Sequence, residues 1–344
     1  MTRPQRLLVT GGAGFIGSAY VRALLADPAA PLAVTVLDKL TYAGDLRNLD
    51  AVRNDPRFTF VRGDVCDTAL VDALLAGHPQ VVHFAAESHV DRSIAGADAF
   101  VRTNVLGTHT LLDAALRHRA ELFVQVSTDE VYGSIATGSW AEDQPLAPSS
   151  PYAASKASAD LLALSYHRTH GLDVRVSRCS NNYGPYQHPE KVIPRFVTNL
   201  LDGRTVPLYG DGRNSRDWLH VDDHCYGVEL VRRRGRAGRV YHLGGGTELT
   251  NRRLTGLLLE ACGADWSRVR HVPDRKGHDL RYAVDWTRAR EELGYRPRRE
   301  FADGLAATVA WYRDNPEWWR GRGPDDDGAG QADQASGPGS RAAS

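Results

Sequence analysis

The chain has 344 residues, 42% of them hydrophobic, and its 42 basic residues are balanced by 42 acidic ones. At ~100–200 residues per domain, that is one large α/β unit or two intimate ones, with ample material for a core. No apolar run approaches the ~18 residues of a membrane-spanning helix, and zero formal charge removes the electrostatic case for a nucleic-acid binder.

Short β-branched runs alternate with helical patterns through the first half, which predicts βαβ units and a parallel sheet. In chain order the expected elements are a strand over 6–10, a helix over 14–26, strands over 34–38 and 59–62, and a helix over 68–75. A strand over 81–85, a helix over 97–117, a strand over 122–128, a helix over 152–169 and a strand over 174–179 follow. Six parallel strands with such crossovers make a Rossmann-type, doubly wound α/β sheet. Beyond Asn181 the strands shorten, as at 206–209 and 240–243, and a smaller mixed α/β substrate-binding lobe is expected. The division drawn is 1–180 with 218–243 for the Rossmann domain, and 181–217 with 244–322 for the lobe. Phe301, Leu305, Val309 and Tyr312 fall at helical spacing and mark a last amphipathic helix ending near Trp319. From 323 to 344 there is no Leu, Ile, Val or aromatic residue, so a disordered tail is expected there.

The N-terminus runs directly into a short apolar stretch and then glycines, without the h-region or cleavage site of a secretory signal, so a cytoplasmic location is expected. Cys66, Cys179, Cys225 and Cys262 are scattered without any CxxC, which suggests neither a metal site nor a disulfide framework. Lys39, Lys156, Lys191 and Lys276 are the only lysines among the 42 basic residues, which makes each a candidate for a task that Arg cannot serve.

The segment Val9-Thr10-Gly11-Gly12-Ala13-Gly14-Phe15-Ile16-Gly17 follows the first strand and opens a helix. Gly12, Gly14 and Gly17 satisfy G-x-G-x-x-G, and Gly11 adds a flexible position. Such glycines allow a tight turn and close approach to a pyrophosphate held at the helix N-terminus. Asp38 follows at the end of the second strand, where an acidic side chain binds ribose hydroxyls and repels a 2′-phosphate, favouring NAD over NADP. Gly63-Asp64-Val65 and Phe84-Ala85-Ala86-Glu87-Ser88 end the next two strands. Position alone fits ligand contact and plain strand-to-helix turns equally.

Tyr152 and Lys156 lie four apart on one face of a helix start. A phenol has a pKa of ~10, and lowering it by ~3 units takes about 4 kcal/mol of differential stabilisation. A nearby ammonium and an oxidised nicotinamide are the expected sources. Asp129 and Glu130 follow the fifth strand and can act together only if the chain leaves the sheet there. One carboxyl would then hold a proton while the other stays anionic, an acid beside a base. A helix-capping pair is the competing reading.

The run 10–17 with 152–156 resembles the extended short-chain dehydrogenase/reductases. More narrowly, Ala85–Ser93, Ser127–Gly133 and Ser180–Pro185 are similar to the dTDP-glucose 4,6-dehydratases, as are Asp38–Gly44, Arg216–Trp218 and Asp274–Asp279. The likeness runs from about Arg6 to Trp319. It implies NAD contacts at Gly11, Gly14, Phe15, Ile16, Gly17, Asp38, Lys39, Leu40, Thr41, Asp64, Val65, Phe84, Ala85, Ala86, Glu87, Ser88, Thr103, Tyr152, Lys156 and Asn182. It implies dTDP-glucose contacts at Ser88, Thr128, Asn181, Lys191, Val192, Pro207, Leu208, Tyr209, Arg216, Asn251, Asp274, Arg275, Lys276, Gly277 and His278. The implied catalytic set is Thr128, Asp129, Glu130, Tyr152 and Lys156, with Tyr152 the base for oxidation at C4, Glu130 the base at C5 and Asp129 the acid at C6. Helices near 97–117 and 152–169 pair between subunits in the family, so a homodimer is implied. Two departures stand out: Lys276 replaces a proline of many relatives, and the segment between Gly133 and Ser149 is shorter than in some.

A nucleotide-sugar 4-epimerase is the rival reading, sharing Tyr152 and Lys156 but needing neither Asp129 nor Glu130. A non-catalytic NAD-sensing module would not need a tuned phenol. His220 and His224 have the spacing of a helical metal pair, but no third ligand is near. Arg232-Arg233-Arg234-Gly235-Arg236 is expected to end a helix, and Trp318-Trp319 to close the last one.

Overall fold

The computed structural model describes residues 5–28 and 30–322; the tail expected at 323–344 lies outside the described residues. Twelve strands occur among the described residues. They are β1 (Gln5–Thr10), β2 (Leu32–Asp38), β3 (Phe58–Arg62), β4 (Gln80–His83), β5 (Leu122–Thr128) and β6 (Val174–Cys179), then β7 (Asn181–Tyr183), β8 (Val206–Tyr209), β9 (Ser215–His220), β10 (Val240–Leu243), β11 (Glu248–Thr250) and β12 (Val269–Val272). The main sheet is parallel in the order β10-β6-β5-β4-β1-β2-β3. Strand order reverses between β1 and β4, which opens a crevice at their carboxyl ends.

The helices are α1 (Phe15–Leu25), α2 (Thr68–Leu75), α3 (Val90–Ala95), α4 (Asp98–Phe100), α5 (Gly107–Arg117) and α6 (Pro151–His170), followed by α7 (Val192–Leu201), α8 (Val221–Arg234), α9 (Asn251–Ala261), α10 (Phe301–Asp314) and α11 (Pro316–Trp319). The sheet is buried between two apolar layers. Leu7, Val9, Val34, Val36, Val124 and Val126 face α1 and α8, while Leu8, Val81, Phe123, Val174 and Val176 face α2, α5 and α6. Local signals fix α6 well: Ser150 caps it by accepting from the Ala153 N–H at 3.1 Å, Pro151 opens it, and Gly171 ends it at φ 73°.

Three expectations are corrected. The sheet has a seventh strand: β10, inside the 218–243 stretch drawn into the Rossmann domain but not among the six strands expected, pairs parallel with β6 from Val240↔Val176 to Leu243↔Cys179. The strand expected over 81–85 stops at His83. The Phe84 N–H still reaches the Thr10 carbonyl, but the Ala85 N–H donates to the Thr10 hydroxyl at 3.3 Å, so the chain leaves the ladder. The helix expected over 97–117 is interrupted by a π-helical turn at Val101–Leu106. There Asn104 accepts from the Glu87 N–H at 2.8 Å and donates to the Ser155 hydroxyl at 2.8 Å, tying a sheet-end loop to α6.

The smaller lobe holds a β11-β9-β7 sheet and a parallel β12-β8 pair. Its core includes Tyr183, Phe196, Trp218, Leu258, Leu305, Val309 and Tyr312, closed by Trp318 and Trp319 as expected. The last helix differs in one respect: α10 stops at Asp314 and Pro316 starts the separate turn α11. The arginine run ends α8 at Arg234, as expected. His220 caps α8, accepting from the Asp222 N–H at 3.2 Å, and His224 Nδ1 lies 2.9 Å from Asn182 Oδ1. Among the described residues no group of three or more His, Cys, Asp or Glu could hold a metal, and no helix is long and apolar enough to cross a membrane.

Candidate active site

The crevice between β1 and β4 is built by glycines that nothing larger could replace. Gly11 sits at φ +68°, and a Cβ there would stand 2.5 Å from the Ala85 backbone nitrogen. A Cβ on Gly17 would stand 2.2 Å from the Gly11 carbonyl oxygen, so α1 lies directly on the turn. No side chain caps α1 at Gly14. Gly14, Phe15, Ile16 and Gly17 line the cleft, so the helix N-terminus offers free N–H donors and partial positive charge to an anion. Asp38 closes the end of β2; its carboxylate accepts from the Ala13 N–H at 3.0 Å and the Leu40 N–H at 2.8 Å. Burial pushes its pKa up and those two N–H groups oppose the rise. The Lys39 ammonium turns to the Thr103 hydroxyl (3.3 Å) and to Asp64 (3.6 Å), so the cation next to Asp38 in sequence is engaged elsewhere. A turn with no room for a Cβ at Gly11 or Gly17, an uncapped helix start and an acid at the next strand's tip fit a dinucleotide.

Chemistry gathers where β5 ends. After Thr128 the chain enters a 3-10 turn at Asp129–Tyr132, so it has left the sheet where joint action of two adjacent carboxyls requires it to. The Thr128 hydroxyl accepts from the Glu130 N–H at 3.2 Å and lies 3.3 Å from Asp129 Oδ1. Asp129 is buried, and its Oδ2 has no hydrogen-bond partner. Burial, then Glu130 and Asp217, drive its pKa well up, which favours the protonated form, while Arg216 and the Thr128 hydroxyl oppose. Glu130 is also raised by burial, but Lys191, Arg275 and Arg216 pull the other way. The two carboxyls are thus unequally placed, one as acid and one with cations that favour the anion.

Tyr152 and Lys156 are both buried on α6. The Lys156 ammonium donates to the Val126 carbonyl at 2.7 Å; burial lowers its pKa while Asp160 opposes. The phenol of Tyr152 is raised well above its ordinary value by burial, then by Glu130, Cys179 and Asp129, and the Thr128 hydroxyl favours the phenolate. The expected lowering calls on two cations, the Lys156 ammonium and an oxidised nicotinamide. In the folded chain burial is the largest cause of the rise and the neighbouring acids add to it, so a cationic nicotinamide in the cleft would act in the opposite sense.

A second cavity adjoins the first. Pro207, Leu208 and Tyr209 of β8, Arg216 of β9, Asn251 of α9, Val192, Arg275 and His278 line it, and Glu130, Asn181 and Lys191 line both. The Arg195 and Arg275 Nε atoms are buried without a partner, donors that suit an anionic ligand. The Arg216 guanidinium stacks 4.2 Å from the Tyr282 ring centroid and donates to the Asp279 carbonyl at 2.9 Å, which fixes its direction.

Five expected contacts do not line either cavity. Leu40 packs into the core beside the cleft, and Asp64 is held by the Cys66 N–H at 2.9 Å and by Lys39. Asp274 supports His278 Nδ1 at 2.5 Å, Lys276 is exposed, and Gly277, at φ +62°, packs on the Ser149 carbonyl. The remaining expected residues line one cavity or both. Sequence reasoning missed Ala43, Gly44, Gln187 and His188 in the first cavity, and Arg195, Phe196, Trp218, Thr255 and Tyr282 in the second. Periodicity could have found several: Arg195 and Phe196 lie three and four residues after Val192, Thr255 lies four after Asn251, and Trp218 shares the strand face of Arg216.

A family model described as GDP-mannose 4,6 dehydratase matches residues 8–308. A dTDP-glucose 4,6-dehydratase from Streptomyces antibioticus is 69% identical over 321 residues, 92% of this chain and 94% of that protein. The crystal structure of DesIV, a dTDP-glucose 4,6-dehydratase from Streptomyces venezuelae with NAD and TYD bound, superposes with a TM-score of 0.91 at 63% identity, covering 92% of this chain and 100% of that one. A UDP-glucose 4-epimerase from Thermotoga maritima, solved with UDP-glucose, gives a TM-score of 0.84 at 31% identity over 91% of this chain and 100% of its own.

Proposed function

The chain belongs to the extended short-chain dehydrogenase/reductase family, in the part matched by the GDP-mannose 4,6 dehydratase model, and from that premise we propose that it converts dTDP-glucose to dTDP-4-keto-6-deoxy-glucose with NAD recycled in the site. One observation carries the reading beyond the family. Asp129, buried and pushed toward its protonated form, and the cation-flanked Glu130 stand with Tyr152 where a dinucleotide cleft meets a cation-rich second cavity. An epimerase needs no such pair. Leaving a buried polar group unsatisfied costs ~1–3 kcal/mol, and Asp129 Oδ2 is such a group, which supports a role in chemistry over one in stability.

NAD bound against Gly11–Gly17 and Asp38 supplies a positively charged two-electron acceptor and, once reduced, a donor. The chain's own residues manage the protons. Tyr152 takes the proton of the C4 hydroxyl as C4 becomes a ketone. That ketone acidifies the C5 hydrogen, which Glu130 removes as a proton. Asp129 gives its proton to the C6 hydroxyl, which leaves as water, and a C5–C6 double bond remains. The hydride taken from C4 is restored at C6, Glu130 returns a proton to C5, and no net oxidation remains. Lys191, Arg195, Arg216 and Arg275 offer their positive charge to the diphosphate, while β8 and α9 enclose the nucleoside.

Deuterium placed at C4 of dTDP-glucose is expected in the C6 methyl group of a 4-keto-6-deoxy product. Label recovered at C4 of an epimerised sugar, or accumulating in free NADH, would overturn the reading. Asp38→Ala is expected to weaken NAD by about tenfold or more, the loss of charge-assisted bonds worth ~1.5–3 kcal/mol, and to narrow the preference over NADP. Parallel titrations of both cofactors check it; an unchanged ratio of affinities would count against Asp38 as the discriminating group.

The same proposal takes the enzyme as a cytoplasmic homodimer. Four free cysteines suit a reducing compartment. Val101, Leu106 and Leu161 are large apolar side chains about half exposed on the stretch leading into α5 and on α6, the helices implied in subunit pairing. Sedimentation of the full chain, with Leu161→Glu expected to yield monomer, tests the assembly.

A further inference from the structure

Three segments meet over the outer edge of the dinucleotide cleft: the loop after β2, the start of α3 after β4, and the loop between β7 and α7 in the smaller lobe. Because β2 and β4 flank β1, the first two stand on opposite sides of the crevice. Tyr42 lies between cleft-lining Thr41 and Ala43, and burial raises its phenol while the Ser88 backbone opposes the rise from across the cleft. The Arg92 guanidinium covers the Tyr42 ring at 4.1 Å from the centroid, and His188 meets the same ring edge-on at 5.7 Å. Arg92 is held in turn by Glu190, its Nε donating at 2.9 and 3.2 Å and its Nη2 making a further contact. The Glu190 side chain is 8% exposed, so this bidentate pair is partly removed from water, where it is worth more than a surface bridge. Lys191, the next residue, donates to the Ser88 carbonyl at 2.7 Å and lines both cavities.

The loop is not at rest in itself. Leu40 holds φ 57°, a region unfavourable for a non-glycine residue that persists only where the surroundings enforce it. On one side the enforcing contact is its N–H on Asp38; on the other it is the anchored Tyr42.

We propose that Tyr42, Arg92 and Glu190 form a strap across the dinucleotide cleft that retains the cofactor through turnover, and that cofactor exchange requires this strap to part. The inference rests on the reading of the cleft as an NAD site. It assigns a task to residues outside the catalytic set: a reaction that removes and restores one hydride fails if the reduced cofactor departs between the two steps.

The test follows exchange of bound NAD for isotopically labelled NAD on the full chain without sugar nucleotide. Glu190→Gln keeps the side-chain shape but removes the ion pair, and Tyr42→Leu removes the ring face and the hydroxyl. Each is expected to exchange about tenfold faster or more than the parent, since losses of this kind appear mainly in the off-rate. The double variant should exceed Tyr42→Leu little, because the contacts lie in series. With C4-deuterated dTDP-glucose the variants should shed labelled NADH that the parent keeps. Thermal unfolding of each variant checks that the fold is intact. Exchange within about twofold of the parent in both folded variants would overturn the strap. If the parent binds NAD but does not dehydrate dTDP-glucose, the proposed function fails while the exchange rates still decide the strap; if it binds no NAD, both fail.

Discussion

Tyr152→Phe is expected to lower the dehydration rate by ~10²–10⁴-fold, the range general acid–base catalysis supplies, with the fold and NAD content retained. The substitution removes one oxygen and keeps the ring, which is buried and meets Phe100 edge-on at 6.3 Å. Its packing is therefore preserved, and a loss of rate reports the hydroxyl. The direction of the phenol's pKa gives a second readout. Burial, Glu130 and Asp129 raise it, so the base form becomes more abundant as pH rises, and bound cationic nicotinamide acts in the same sense. Single-turnover oxidation at C4 in the parent should speed up with pH over the range where Tyr152 titrates, and the Tyr152→Phe variant should lack that dependence. A variant that oxidises C4 at the parent rate would remove Tyr152 from the mechanism.

Much of this was legible in the sequence for a physical reason. β5 is buried along all seven residues and β6 nearly so, so their β-branched runs need no context to be read, and both match their expected bounds. The Gly-rich turn is equally local, because steric exclusion at Gly11 and Gly17 admits no other residue. What was not legible depends on distant partners. β10 has the bounds read for it, 240–243; what no window of sequence contains is its place beside β6 and the contact of its buried His242, whose Nε2 lies 2.7 Å from the Tyr132 hydroxyl. The π turn at Val101–Leu106 is set by Asn104 bonding to Glu87 and Ser155. Lys156 offers the sharpest case. Its spacing from Tyr152 was plain, but that its ammonium donates to the Val126 carbonyl, while burial and then Glu130 raise the phenol, follows only from the fold. The Asp274–His278 segment shows the reverse error: a contiguous motif whose members serve different tasks, with Arg275 and His278 at the cavity and Asp274 bonded to His278.

The two carboxyls should separate cleanly by experiment. Glu130→Gln cannot accept a proton, so exchange of the C5 hydrogen with solvent should stop and dehydration fall by ~10²–10⁴-fold, while oxidation at C4 survives. Asp129→Asn removes a carboxyl whose pKa burial, Glu130 and Asp217 raise, so C4 oxidation and C5 exchange should proceed and loss of the C6 hydroxyl should slow. The signs in pH follow from the two raised pKa values. The base at Glu130 is lost as pH falls through its raised pKa, and the acid at Asp129 is lost as pH rises through its own, which is driven further up. Dehydration in the parent should therefore follow a bell, and the profile reports the pair rather than either residue alone. Asp129→Asn should erase the alkaline limb and Glu130→Gln the acid limb. Neutralising Glu130 also removes a charge that raises Asp129, so in Glu130→Gln the residual activity should lose its alkaline limb at lower pH than the parent. If both variants dehydrate dTDP-glucose at the parent rate, the acid and base lie elsewhere; if instead they interconvert C4 epimers, Tyr152 and the dinucleotide serve a different reaction on the same scaffold.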